Sequence, residues 1–76
     1  MVKNINKLKG KITEGEFTMK SLAKALGMSE ATIRRKINSK DGEFSVGESW
    51  ETKQLLNLSM NDYLDIFFGE ELELNS

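Results

Sequence analysis

The sequence predicts an all-α, compact five-helix domain, and three observations predict it. Apolar residues recur at three- and four-residue steps in successive short stretches, a spacing that places them on one helical face. Thr18, Ser29, Ser45 and Ser59 stand ahead of such stretches, where a hydroxyl can accept a hydrogen bond from an unpaired backbone N–H. The connections are short and carry Gly15, Gly27 and the Asp41-Gly42 pair as turn signals.

Taken in order, residues 1 to 3 are expected to be loose, and a first helix runs from about Asn4 to about Thr13. Ile5, Leu8 and Ile12 form its inner stripe, with Lys3, Lys7, Lys9 and Lys11 around it. Gly10 inside that helix costs about 1 kcal/mol relative to alanine, and close packing of a neighbouring helix is the favoured reason for it. Glu14-Gly15-Glu16 makes the turn. Phe17, ahead of the Thr18 cap, is expected in the core, folded onto Leu22 or a neighbour. Met19, Leu22, Ala23 and Leu26 share one face of a second helix, with Lys20 and Lys24 on the other. Gly27 ends it, because a residue without a side chain adopts the left-handed conformation cheaply. Ser29 then caps a third helix whose apolar stripe is only Ile33 and Ile37.

The polar stretch Ser39 to Glu43 is a loop, and Phe44 plugs the underside of the core. Ser45 caps a fourth helix of about Val46 to Asn57. Its period is untidy: Val46 and Trp50 agree, but the next steps meet Lys53 and Gln54 before reaching Leu55 and Leu56. A fifth helix, Met60 to about Phe68, crowds Tyr63, Leu64, Ile66, Phe67 and Phe68 into more apolar surface than one side can hide. That surplus wraps against the first and fourth helices or, with Tyr63, Phe67 and Phe68, makes a two-fold dimer contact; the two readings weigh equally. The tail, residues 69–76, is either a short strand, paired across a dimer, or frayed.

At 76 residues the chain is read as a single domain over 1–76, with one modest core. It has no cysteine and no histidine, which removes disulfides, thiolate metal sites and the usual general base, so no enzyme, metal or cofactor is expected. No run approaches the roughly 18 apolar residues of a membrane span. The start, MVKNINKLKGK, lacks a signal peptide's apolar block, so a cytoplasmic protein is expected. The net charge of −1 hides a split. Residues 1 to 40 hold ten Lys and Arg against three acids (+7), and residues 41 to 76 hold one against nine (−8). Such a split suggests an anion-binding front and a solvated acidic back.

The third helix carries the sharper signal in what it leaves outside. Glu30, Ala31, Arg34 and Arg35 share a face away from Ile33 and Ile37, and a guanidinium fork matches the two major-groove acceptors of guanine. The stretch from Thr18 to Asn38 has a small residue mid-helix (Ala23), glycine four later (Gly27) and an aliphatic six beyond (Ile33). Leu22, Leu26 and Met28 fill the intervening apolar slots. The chain thereby resembles the helix-turn-helix of the phage Cro and repressor families, that is, a small Cro-like, XRE-family transcriptional regulator. Lys7-Leu8-Lys9-Gly10-Lys11-Ile12 and the segment around Leu55 to Phe68 are similar to small phage regulators of Gram-positive hosts. One departure is Met19, where many relatives place a glutamine that touches phosphate and braces the recognition helix.

The resemblance implies a lambda-repressor-like fold with the helix-turn-helix at 18–38 and the recognition helix at 29–38. It implies base contacts from Glu30, Ala31, Arg34 and Arg35, with Glu30 either accepting from cytosine or holding Arg34 at the four-residue spacing. It further implies phosphate contacts from Thr18, Lys20, Ser29, Lys36, Asn38 and Lys40. The expected function is repression in the bacterial host cell by a homodimer on a pseudo-palindromic operator, with no small-molecule ligand and no membrane. The alternative is a protein-binding adaptor or anti-repressor that keeps the helix-turn-helix shape without using it on DNA.

Overall fold

The computed structural model describes residues 2–39 and 43–69. They form five helices, α1 (Ile5–Glu14), α2 (Met19–Ala25), α3 (Glu30–Asn38), α4 (Val46–Leu55) and α5 (Met60–Phe68). Among the described residues there is no strand, and no helix is long and apolar enough to cross a membrane. Residues 70–76, which hold most of the tail considered as a strand or a frayed end, lie outside the described residues, as do Met1 and 40–42.

Every helix begins where a short polar side chain accepts a backbone N–H. Asn4 accepts from Lys7, Thr18 from Ser21, Ser29 from Thr32, Ser45 from Glu48 and Ser59 from Asp62. Asn4 is thus the cap of α1 and not its first residue. At Thr18 and Ser45 the cap is reciprocal, because Ser21 and Glu48 accept in turn from the cap's own backbone N–H. Gly27 ends the α2 turn at φ +75°.

One core joins all five helices: Leu8 and Ile12 from α1, Leu22 and Ala23 from α2, Ile33 and Ile37 from α3, Tyr63, Ile66 and Phe67 from α5, with Leu56 and Leu58 behind α4. α2 and α3 pack on each other most closely, and α5 lies on α1. Phe44 docks edge-on against Phe67, with ring centroids 5.3 Å apart. Phe17 is half-buried at the margin of the core.

Three expectations need correction, and the placement of α4, which its period left open, is resolved. Val2 and Lys3 are not loose: Val2 is buried, and the backbone N–H groups of Lys3 and Asn4 both donate to the Ile66 carbonyl. Apolar contact and two hydrogen bonds outweigh the fraying expected at a chain start. Gly10 is not a close-packing site, since a Cβ built there would meet nothing within 4 Å. α4 turns Val46 and Trp50 outward and buries Ser49 and Thr52 instead. That is why its apolar period is untidy: hydroxyls bonded to the helix's own carbonyls carry the inward face. Finally, Tyr63 and Phe67 belong to the chain's own core, 5% and 8% exposed, so of the three residues read as a dimer contact only Phe68 stands outside.

Candidate nucleic-acid interface

α3 is two-faced. Ile33 and Ile37 lie fully inside, one helical turn apart, and this fixes Ala31, Arg34, Arg35 and Asn38 outside. Glu30 is partly exposed and holds Arg34: Nε and Nη2 both donate to one carboxylate oxygen, at 2.9 and 2.7 Å. The four-residue spacing therefore produces the pairing expected of it, and the guanidinium is held against its own helix with Nη1 left over. Arg35 has no ion pair among the described residues. The four residues read as base contacts thus sit on one helix, three of them exposed and the fourth orienting Arg34.

The residues read as phosphate contacts separate into groups. Lys20 and Asn38 are exposed. Thr18 and Ser29 are exposed too, but their hydroxyls already serve as caps, and Ser29 Oγ donates its proton to Thr32 Oγ1 at 2.8 Å. Lys36 faces elsewhere: its ammonium donates to the Glu43 carbonyl at 2.9 Å and to Glu48 Oε1 at 3.1 Å, and its side chain is only 17% exposed. It ties α3 to the start of α4 and leaves the phosphate set. Lys40 lies outside the described residues.

Charge is partitioned differently from the split between halves. On α1, Lys7 reaches Asp62 at 3.0 Å and Asp65 at 2.9 Å, and Lys11 reaches Asp62 at 3.3 Å and Glu14 at 3.6 Å. Asp65 and Asp62 hold the Lys7 ammonium above its ordinary value, and Lys7, then Lys11, hold the Asp62 carboxyl below its own. Part of the basic front is therefore neutralised by the acidic back, across the seam between α1 and α5. Lys9 escapes this. Two residues from both Lys7 and Lys11, it projects from the other side of α1, because two steps of 100° nearly reverse direction. The sequence marks those lysines as different faces, but only the carboxylates of α5 decide which face is neutralised.

Among the described acids of the second half, three are engaged away from the arginines: Asp62 and Asp65 on α1, Glu48 on Lys36. The Ser45 backbone N–H, followed by Lys36, holds the Glu48 carboxyl below its ordinary range. On the α4–α5 side Val46, Trp50 and Phe68 are exposed together, 73%, 42% and 46%. Tyr63 lies beneath both Trp50 and Phe68, with its ring centroid 5.5 Å from each. Sequence periodicity did not find this face because the untidy period of α4 left the placement of Val46 and Trp50 open. Among the described residues no group of three or more His, Cys, Asp or Glu is placed to hold a metal ion.

Residues 1–70 match the model of a protein family described as "Protein of unknown function (DUF739)". The chain belongs to that family. No curated protein and no solved structure matches it.

Proposed function

We propose that the chain binds double-stranded DNA sequence-specifically, as a Cro-like repressor, with α3 as the recognition helix of a helix-turn-helix made by α2 and α3. The observation that carries this reading is the outward face of α3. It presents Ala31, Arg34 and Arg35 to solvent beside a turn, with Arg34 pre-oriented by Glu30 and Arg35 unpaired among the described residues. A short helix with that face fits the major groove, and a guanidinium fork on guanine gives about 1–3 kcal/mol of discrimination per base pair. Lys20 and Asn38 supply phosphate contacts that set register and carry no sequence information. A second copy reads the other half-site, and the exposed Val46, Trp50 and Phe68 face is the surface on which two copies meet.

The same apolar face favours the second reading, a protein-binding adaptor that does not use DNA. One experiment separates the two. Random duplex DNA is selected on the pure protein and sequenced, and the selection is repeated with Arg34→Ala/Arg35→Ala. The DNA reading expects an enriched two-fold motif that the double variant loses. Weak, salt-sensitive retention with no enriched sequence overturns it in favour of the adaptor.

A further inference from the structure

Lys9 is the lysine of α1 that the α5 carboxylates do not reach. Lys7 and Lys11 are bound across the α1–α5 seam. Lys9 is exposed on the opposite side and has no ion pair among the described residues. That side is a shallow groove of about 490 Å³ between α1, the start of α2 and α3. Two exposed cations, Lys9 and Arg34, border it. Between them lie the buried Ile12 and the half-buried Phe17 and Met19, and no carboxylate lines it. Thr13 and Thr18 complete the lining, but their hydroxyl protons are engaged within the chain, on the Lys9 carbonyl and on Ser21 Oγ. The available donors are therefore the ammonium of Lys9 and the guanidinium N–H groups that Glu30 leaves over.

Cationic borders around an apolar floor match a polymer in which anionic and apolar groups alternate. Deoxyribose carbons and phosphates alternate in this way along a nucleic-acid strand. We propose that this groove holds a stretch of the DNA sugar–phosphate backbone beside the base-reading face, with Lys9 and Arg34 at phosphates and the deoxyribose against Phe17 and Met19. The inference rests on the DNA-binding reading above and deepens it by adding α1 to the interface. It also gives Arg34 a double position, shared between the α3 face and the groove, and gives Met19 a use in place of a polar phosphate contact.

The test is Lys9→Gln, with Arg35→Ala and Lys3→Gln beside it. Binding is measured on the selected duplex and on an unrelated duplex from about 50 to 200 mM salt. One lost phosphate contact reduces the slope of log K against log salt by about 0.9, so the affinity lost over that range should shrink by about 3.5-fold. Lys9→Gln should weaken both duplexes by the same factor and show this shallower slope. Lys3→Gln, on the far side against Gly69, should behave as wild type on both. A wild-type slope for Lys9→Gln, or a loss confined to the selected duplex, overturns the groove assignment, while loss of sequence preference in Arg35→Ala shows that the DNA reading still stands. Failure of the wild-type protein to retain any duplex overturns both. Because Lys9 is exposed and has no ion pair among the described residues, its variant should melt with the wild type, which keeps folding out of the comparison.

Discussion

The α2–α3 pair and the α4–α5 pair are built from helices of similar length, yet they bury their contact faces by different chemistry. In the first, both sides are apolar: Leu22 and Ala23 meet the core beside Ile33 and Ile37, all of them 0–1% exposed. In the second, α4 contributes Ser49 and Thr52, which are buried at 3% and 0% exposure. Ser49 Oγ donates to the Val46 carbonyl at 2.8 Å and lies 2.9 Å from the Tyr63 hydroxyl, while Thr52 Oγ1 donates to the Glu48 carbonyl at 2.9 Å. Among the described residues no buried side-chain N or O lacks a partner. A helix face can thus be inward without being apolar, provided each hydroxyl is satisfied locally. The two pairs are also tied by the Lys36–Glu48 bridge, which links α3 to α4 even though α4 carries none of the proposed reading residues.

Four substitutions sharpen that contrast, taken from the largest expected effect to the smallest. Ile33→Ala removes a fully buried side chain from the apolar pair and should cost about 3 kcal/mol in urea unfolding, the usual range for such a truncation being about 2–5. A loss under about 1 kcal/mol would mean that this pair is not held by packing. Ser49→Ala takes a hydrogen-bond partner from the buried Tyr63 hydroxyl and should cost about 1–2 kcal/mol. Combined with Tyr63→Phe, the total should fall short of the sum of the two single variants, since both remove the same contact. Strict additivity would show that the 2.9 Å contact carries no coupling.

The smallest effect concerns charge. Ser45 and Lys36 depress the Glu48 carboxyl, and Lys7 and Lys11 depress that of Asp62. A carboxyl depressed on folding adds stability that is fully present above its unfolded value, about 4, and is lost as pH falls through the lower folded value. Stability measured by thermal melting should therefore hold steady from neutral pH to about 5 and decline below about 4. Glu48→Gln keeps a polar partner for Ser45 but loses the charge on Lys36. It should cost less than about 1 kcal/mol near neutral pH, as partly exposed pairs do, and should make the acid decline shallower without abolishing it, because Asp62 remains. An acid profile identical to wild type would remove Glu48 from the account.

The same contrast explains what the sequence made legible. α2 and α3 were readable because their apolar steps, caps and Gly27 all point one way, and the outward position of Arg34 and Arg35 follows from burying Ile33 and Ile37. The caps at Ser45 and Ser59 placed α4 and α5 correctly as well. The inward face of α4 was hidden, since no hydrophobicity pattern reports a buried serine. Lys36 was hidden for a different reason: on α3 alone it resembles another outward cation, and only the position of Glu48 twelve residues later turns it into a strut. Spacing already sets Lys9 on a different face from Lys7 and Lys11, but only the carboxylates of α5 decide which face is neutralised.

Trp50, the chain's single tryptophan, stands on α4 as a 42% exposed residue, its ring edge-on to Tyr63 and the Lys53 ammonium 5.1 Å from the ring centre. The molecule therefore carries one indole, which can be excited on the red edge apart from Tyr63, located on the face proposed for the meeting of two copies and remote in sequence from the arginines of α3. Its emission maximum and its quenching by dissolved acrylamide report whether that face is covered, with no label attached. The proposed assembly of two copies can in this way be followed optically while DNA is titrated, on one unmodified chain.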